Sequence, residues 1–123
     1  VRGNAGDRVG DHMRRGAILI EGSVGDYCAA RMTAGTIAVL GNVGILPAFA
    51  MKRGTLLLRK MPQHLPATFN DCGTHTFSFL PMLTLSWQIH GGKFARLPKA
   101  KSPMQRYMGD LANNGKGEIL IGI

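Results

Sequence analysis

Three stretches laid end to end decide the reading of this chain: GNAGDRVGDHMRRGAILIE (residues 3–21), GSVGDYCAARMTAGTIAVL (22–40) and GNVGILPAFAMKRGTLLLR (41–59). Each is a 19-residue unit. Glycine opens it (Gly3, Gly22, Gly41), returns three residues on (Gly6, Gly25, Gly44) and returns again before a closing apolar run (Gly16, Gly35, Gly54). Methionine holds one place (Met13, Met32, Met51), and a small residue another (Gly10, Ala29, Ala48). A strict period near 20 residues marks a stacked repeat, and it is too short for the two helices of a helical repeat. The Leu-x-x-Leu-x-Leu pattern of leucine-rich repeats is absent. The expected fold is all-β: a right-handed parallel β-helix of 19-residue rungs, with a C-terminal strap containing one short helix. The fixed glycines are its structural residues, supplying corners with φ > 0 that other residues adopt only at a cost.

Alternation within the closing runs sorts the side chains. Ile18, Ile37 and Leu56 share one direction with Ile20, Val39 and Leu58, and Ala5/Val24/Val43 and Met13/Met32/Met51 are expected as further inward columns. Leu19 and Leu57 then point outward and leave an apolar stripe that needs cover. The period stops at Arg59-Lys60, so residues 1–60 are expected to form the rungs and residues 61–123 a strap packed on them, within a single domain. Met61-Pro62 and Leu65-Pro66 end ladder pairing, and Asn70-Asp71-Cys72-Gly73 has turn chemistry. Thr76–His90 predicts a short amphipathic helix capped by Thr76 and stopped by Gly91-Gly92. Lys93–Pro103 reads as a basic linker, and Glu118–Ile123 as a closing strand after the Asn113–Gly117 turn. The chain opens almost in register with a rung. That first rung is expected to be an open edge, covered by further chain, by a partner, or by self-association with a second copy.

Composition bounds the function. Fifteen Lys and Arg against seven Asp and Glu give a net charge of +8, which suits an acidic neighbour. Nothing interleaves aromatics with the basic residues, so a nucleic-acid partner is not expected. No apolar run approaches the ~20 residues of a membrane span. Two cysteines, Cys28 and Cys72, make no disulfide framework and fit a reducing, cytoplasmic setting.

No catalytic set and no metal site stands out along the chain. Cys72-x-x-His75 is one pair of possible ligands where zinc takes about four. Asp7 and Asp26 share a repeat position, but Ile45 breaks the column, so they read as corner residues rather than an acid/base pair. Gly115-Lys116-Gly117 lacks the frame and the hydroxyl of a phosphate loop. What remains is a basic edge, Arg14, Arg15, Lys52, Arg53, Arg59 and Lys60, read as a contact for a polyanion or a carrier chain.

With these features in view, the units resemble the GXGXG β-helix domain. That domain is shared by the large subunit of glutamate synthase and the β-helical subunit of formylmethanofuran dehydrogenase. The tail resembles the formylmethanofuran dehydrogenase branch, and above all the version in the bacterial formyltransferase/hydrolase complex. The similar segments are Leu65-Pro66-Ala67-Thr68-Phe69, Phe79-Leu80-Pro81-Met82-Leu83, Phe94-Ala95-x-Leu97, Arg106-Tyr107-x-Gly109-Asp110 and Gly115-Lys116-Gly117-Glu118-Ile119-Leu120. The resemblance covers the later part of that β-helical subunit. It implies a non-catalytic scaffold in one-carbon metabolism that docks amidohydrolase-like and formyltransferase subunits. It also implies an oxidoreductase relative in archaea, built on tungsten or molybdenum held elsewhere. The complex would use a methanofuran-type carrier, with no cofactor bound by this chain directly. Glutamate chains on such carriers would give the basic edge a ligand of matching charge.

Overall fold

The structure is a computed structural model that describes residues 1–77, 79–95, 104–113 and 115–123. Each repeat unit contributes one short strand: β1 (Ala17–Ile20), β2 (Thr36–Val39) and β3 (Thr55–Leu58). They pair in parallel at the repeat's own offset, Ala17 beside Thr36 and Thr36 beside Thr55. Beyond the units come β4 (Asn70–His75), α1 (Leu80–Ser86), a 3-10 turn (Trp87–His90), α2 (Gly92–Ala95), β5 (Met104–Gly109), a second 3-10 turn (Leu111–Asn113) and β6 (Gly117–Ile121). One six-stranded sheet results, in the order β1-β2-β3-β6-β5-β4.

This corrects the expectation of an all-β right-handed parallel β-helix. The fold is a mixed sheet with two short α-helices. β6 joins β3 in parallel, whereas β5 and β4 run antiparallel. The physical reason lies in how little of each unit is strand. Four of its residues form ladder, and the rest is turns plus an isolated bridge, Val24 to Val43. The tail then extends the sheet with three strands, of which β5 runs opposite to the others.

The turns depart from the sequence reading too. The opening glycines Gly3, Gly6, Gly22, Gly25, Gly41 and Gly44 are not among those with positive φ. Gly22, Gly25, Gly41 and Gly44 allow close stacking instead. A Cβ on Gly41 would overlap the Gly22 carbonyl, and one on Gly44 would meet the Gly25 carbonyl at 2.8 Å. Gly16, Gly35 and Gly54 do take positive φ, at 88°, 101° and 114°. The remaining left-handed corners are carried mostly by side-chain-bearing residues: Arg8/Tyr27/Leu46, Ala29/Ala48 beside Gly10, and His12/Arg31/Ala50. Such conformations cost of order 1–3 kcal/mol each and need support from their surroundings. Here the support is visible. Ala29 N–H donates to Val9 O, Ala48 N–H to Cys28 O and Arg31 N–H to Phe49 O, each at 2.7 Å. The left-handed turn aims each N–H at a neighbouring unit.

Two apolar layers sandwich the sheet. Inside, Ile20, Val24, Cys28, Met32, Ile37, Val39, Met51, Leu56, Leu58 and Ile119 pack together, with Ala5, Met13 and Ile18 at the margin. On the opposite face Leu19, Ala38, Leu57 and Leu120, with Met104 of β5, pack with Trp87 and Phe94. The outward stripe expected at Leu19 and Leu57 is thus covered by the helical segment. That segment is shorter than predicted. It begins at Leu80 after Phe79, which makes no side-chain cap, and Pro81 falls in its first turn. Residues 70–73, read as a turn, belong to β4, which has an irregularity between Asp71 and Thr74. From residue 96 the expected basic linker lies outside the described residues.

The segment after β5 lies along the third unit as a substitute for a fourth. Asp110 N–H donates to Met51 O (2.9 Å), Lys116 N–H to Lys52 O (2.6 Å), Glu118 N–H to Gly54 O (3.0 Å) and Gly122 N–H to Leu58 O (2.7 Å). Gly115 is needed at this seam, since a Cβ there would overlap the Met51 carbonyl.

Candidate functional site

The repeat places side chains in columns, and one column face is cationic. Arg14, Thr33 and Lys52 occupy one repeat position, and Arg15, Ala34 and Arg53 the next. All four basic residues are exposed and lie at the corner that precedes β1 and β3. Lys116, also exposed, is brought beside Lys52 by the backbone hydrogen bond above. Sequence position gave no sign of that neighbour, because 64 residues separate it from Lys52. Next to this corner is a depression of about 240 Å3 lined by His12, Arg31, Thr33, Ala50 and Lys52.

Arg59 and Lys60 are also exposed, but they follow β3, whereas Lys52 and Arg53 precede it. At about 3.3 Å per residue of strand, some 20 Å of chain separates Arg53 from Arg59. The six basic residues expected as one edge therefore form two groups at opposite ends of a strand.

The acidic residues explain why this corner keeps its charge. All seven are engaged within the fold. Asp7 Oδ1 accepts from Asp26 N–H (2.7 Å) and Asp26 Oδ1 from Ile45 N–H (2.9 Å), so these two cap the next unit's backbone. Asn4 and Ser23 do the same for Ser23 and Asn42 N–H. Asp11 takes two bonds from the Arg31 guanidinium, at 3.1 and 2.6 Å, with Arg8 and His12 nearby. The Arg31 hydrogen bonds hold the Asp11 carboxyl below the usual range, and the same bonds push the Arg31 guanidinium up. Glu118 pairs with Arg106 at 3.2 Å and accepts from Thr55 Oγ1. Asp71 accepts from Gly73 N–H and the Gln105 amide. Glu21, 9% exposed, accepts from Lys93 N–H. Asp110, 2% exposed, accepts from Ala50 N–H at 2.8 Å and Ala112 N–H at 3.1 Å. Among the described residues, Arg14, Arg15, Lys52, Arg53 and Lys116 form no ion pair.

The other candidates are placed as follows. His75 Nε2 lies 2.6 Å from Cys72 O and the Cys72 thiol 3.5 Å from Asn70 O, on the sheet's outermost strand β4. Among the described residues no three or more His, Cys, Asp and Glu side chains gather as a metal would require. Cys28 is enclosed, and burial pushes its thiol up to about 12. Burial, then the Asp71 charge, raises the Tyr107 hydroxyl. A second depression, about 220 Å3, is lined by Asn42, Val43, Met61, Pro62 and Gln63 and holds no titratable side chain. Among the described residues no helix is long and apolar enough to cross a membrane.

Comparison with family models and with curated proteins gives no match. Among solved structures, the chain is similar to one chain of the crystal structure of the formyltransferase/hydrolase complex (FhcABCD) from Methylorubrum extorquens in complex with methylofuran. The identity is 43% and the TM-score 0.87, over 99% of this chain. This chain spans 44% of the length of that one.

Proposed function

We propose that this chain is a scaffold element of a formyltransferase/hydrolase-type complex. In that role it holds catalytic subunits in place and carries out no formyl chemistry itself. The observation that carries the reading is the 43% identity maintained over nearly the whole chain, with a TM-score of 0.87, to a chain of FhcABCD. At that identity the likeness extends past fold to sequence detail. The chemistry of the described residues supports the non-catalytic part. The carboxylates serve as caps, ion pairs and buried acceptors. In this reading the partners are amidohydrolase-like and formyltransferase subunits, the one-carbon carrier is of the methylofuran type and is held by those subunits, and the setting is cytoplasmic.

The test is reconstitution. The chain alone is assayed for transfer and hydrolysis of a formyl group on a methylofuran-type carrier, then combined with the catalytic subunits of such a complex. The expected result is no turnover alone and stable co-elution with at least one catalytic subunit. Robust turnover by the isolated chain, or failure to associate with any subunit, overturns the reading.

A further inference from the structure

We infer that the corner formed by Arg14, Arg15, Lys52, Arg53 and Lys116 is a docking site for an extended acidic peptide segment of a partner protein. The inference stands on charge placement and does not depend on which complex the chain serves. Every carboxylate of the chain is already engaged in a cap, an ion pair or a buried hydrogen bond. The five cations of this corner have no internal counter-charge among the described residues. Like charges stacked in a column repel one another, and a bound anion relieves that repulsion.

The geometry favours a linear ligand over a single ion. Tiers in a sheet lie about 4.8 Å apart. Arg14 and Lys52 are two tiers apart, about 10 Å, and Lys116 extends the row to about 14 Å. That is the reach of about four residues of extended chain, whose side chains face one way at every second position. Carboxylates four positions apart, about 13 Å, would meet the first and fourth tiers. Thr33 and Ala34 leave the second tier small and low, so a peptide can lie across it beside the depression at His12 and Lys52. Arginine supplies the fork that matches a carboxylate; Arg14 and Arg15 form one flanking pair and Arg53 belongs to the other. A single-stranded nucleic acid fits less well, because no aromatic residue shares the repeat positions of these basic residues.

The probe is a fluorescently labelled ten-residue peptide with aspartate at alternate positions, titrated with the full chain at several salt concentrations. Binding should weaken steeply with salt. The double variant Lys52→Glu/Arg53→Glu should lose about tenfold or more in affinity. Arg59→Glu/Lys60→Glu carries the same change in net charge at the far end of β3 and should change affinity less than about threefold. If the first pair fails to fold by circular dichroism, Lys52→Gln/Arg53→Gln serves in its place with the same expected direction. Equal losses from both ends would mean that net charge alone attracts the peptide. That result overturns the site, as does absence of binding at low salt. Tighter binding of a single-stranded oligonucleotide of equal charge overturns the assignment of a protein partner.

Discussion

Replacing Asp110 by alanine tests how the C-terminal segment is held on the repeat. The Asp110 carboxylate is 2% exposed and accepts from Ala50 N–H at 2.8 Å and Ala112 N–H at 3.1 Å. The first bond crosses from the tail to the third unit, and the second organises the turn after β5. Hydrogen bonds to a charged acceptor contribute about 1.5–3 kcal/mol each. Removing a buried charge returns part of its desolvation cost, so the net loss comes to about 3 kcal/mol. At about 2.1 cal/mol/K of unfolding entropy per residue, a 123-residue chain then melts about 12 °C lower. The assay is thermal unfolding followed by circular dichroism at neutral pH. Asp110→Asn keeps the size and one acceptor oxygen but aims an amide N–H2 at one of the two donors, so it should fall between alanine and the parent. A melting temperature for Asp110→Ala within about 2 °C of the parent would refute the reasoning. The tail would then be held by the β3–β6 ladder, the backbone bonds to Met51 and Lys52, and the apolar layers.

Three further expectations can be checked alongside. Gly41→Ala should cost about 2 kcal/mol or more, because its Cβ would overlap the Gly22 backbone. Gly3→Ala, at the same repeat position with nothing within 4 Å, should stay within about 0.5 kcal/mol; equal costs would contradict the stacking role. Trp87→Ala should destabilise by about 3–5 kcal/mol in urea titration, since Trp87 is 3% exposed over Leu57 and Leu120. Cys28 should resist iodoacetamide at pH 8 while Cys72 reacts, giving one labelled thiol by mass spectrometry when folded and two in denaturant. Its thiol moves from 9.0 to about 12 on folding. The folded state therefore holds the proton that the unfolded state releases, and this contribution is intact below pH 9 and lost as pH rises toward 12. Stability that climbed with pH across that window would contradict the burial of Cys28.

The same residues show how far the sequence could be read. The 19-residue period specified that like positions would stand beside one another, and Ala17, Thr36 and Thr55 do so. Period-2 alternation assigned Ile20, Val39 and Leu58 to the interior and exposed the need to cover Leu57. These are consequences of local spacing, which chain geometry converts directly into facing. The architecture was another matter. A period of 19 does not say that only four residues per unit will be strand, nor that the tail will add a strand of opposite sense, β5. That depends on long-range pairing of β6 with β3 and of β5 with β6. Local propensity was misleading at the corners, where Ala29, Ala48 and Arg31 adopt a backbone normally left to glycine. Hydrogen bonds from adjacent units outweigh the local cost there.

The basic residues divide along the same line. Composition and spacing identified Arg14, Arg15, Lys52 and Arg53 as column neighbours, because the repeat offset relates them. Arg59 and Lys60 looked adjacent in sequence, yet a strand stands between them and the rest. Lys116 joins the corner only through its backbone bond to Lys52 O. By itself the sequence determined the register of the three units and the sidedness of their strands, since both follow from periodicity. Only the tertiary structure decided the mixed sheet, the carboxylate of Asp110 as the tail's anchor, and which cations share a surface. Those depend on contacts between segments whose separation in the chain carries no local signal.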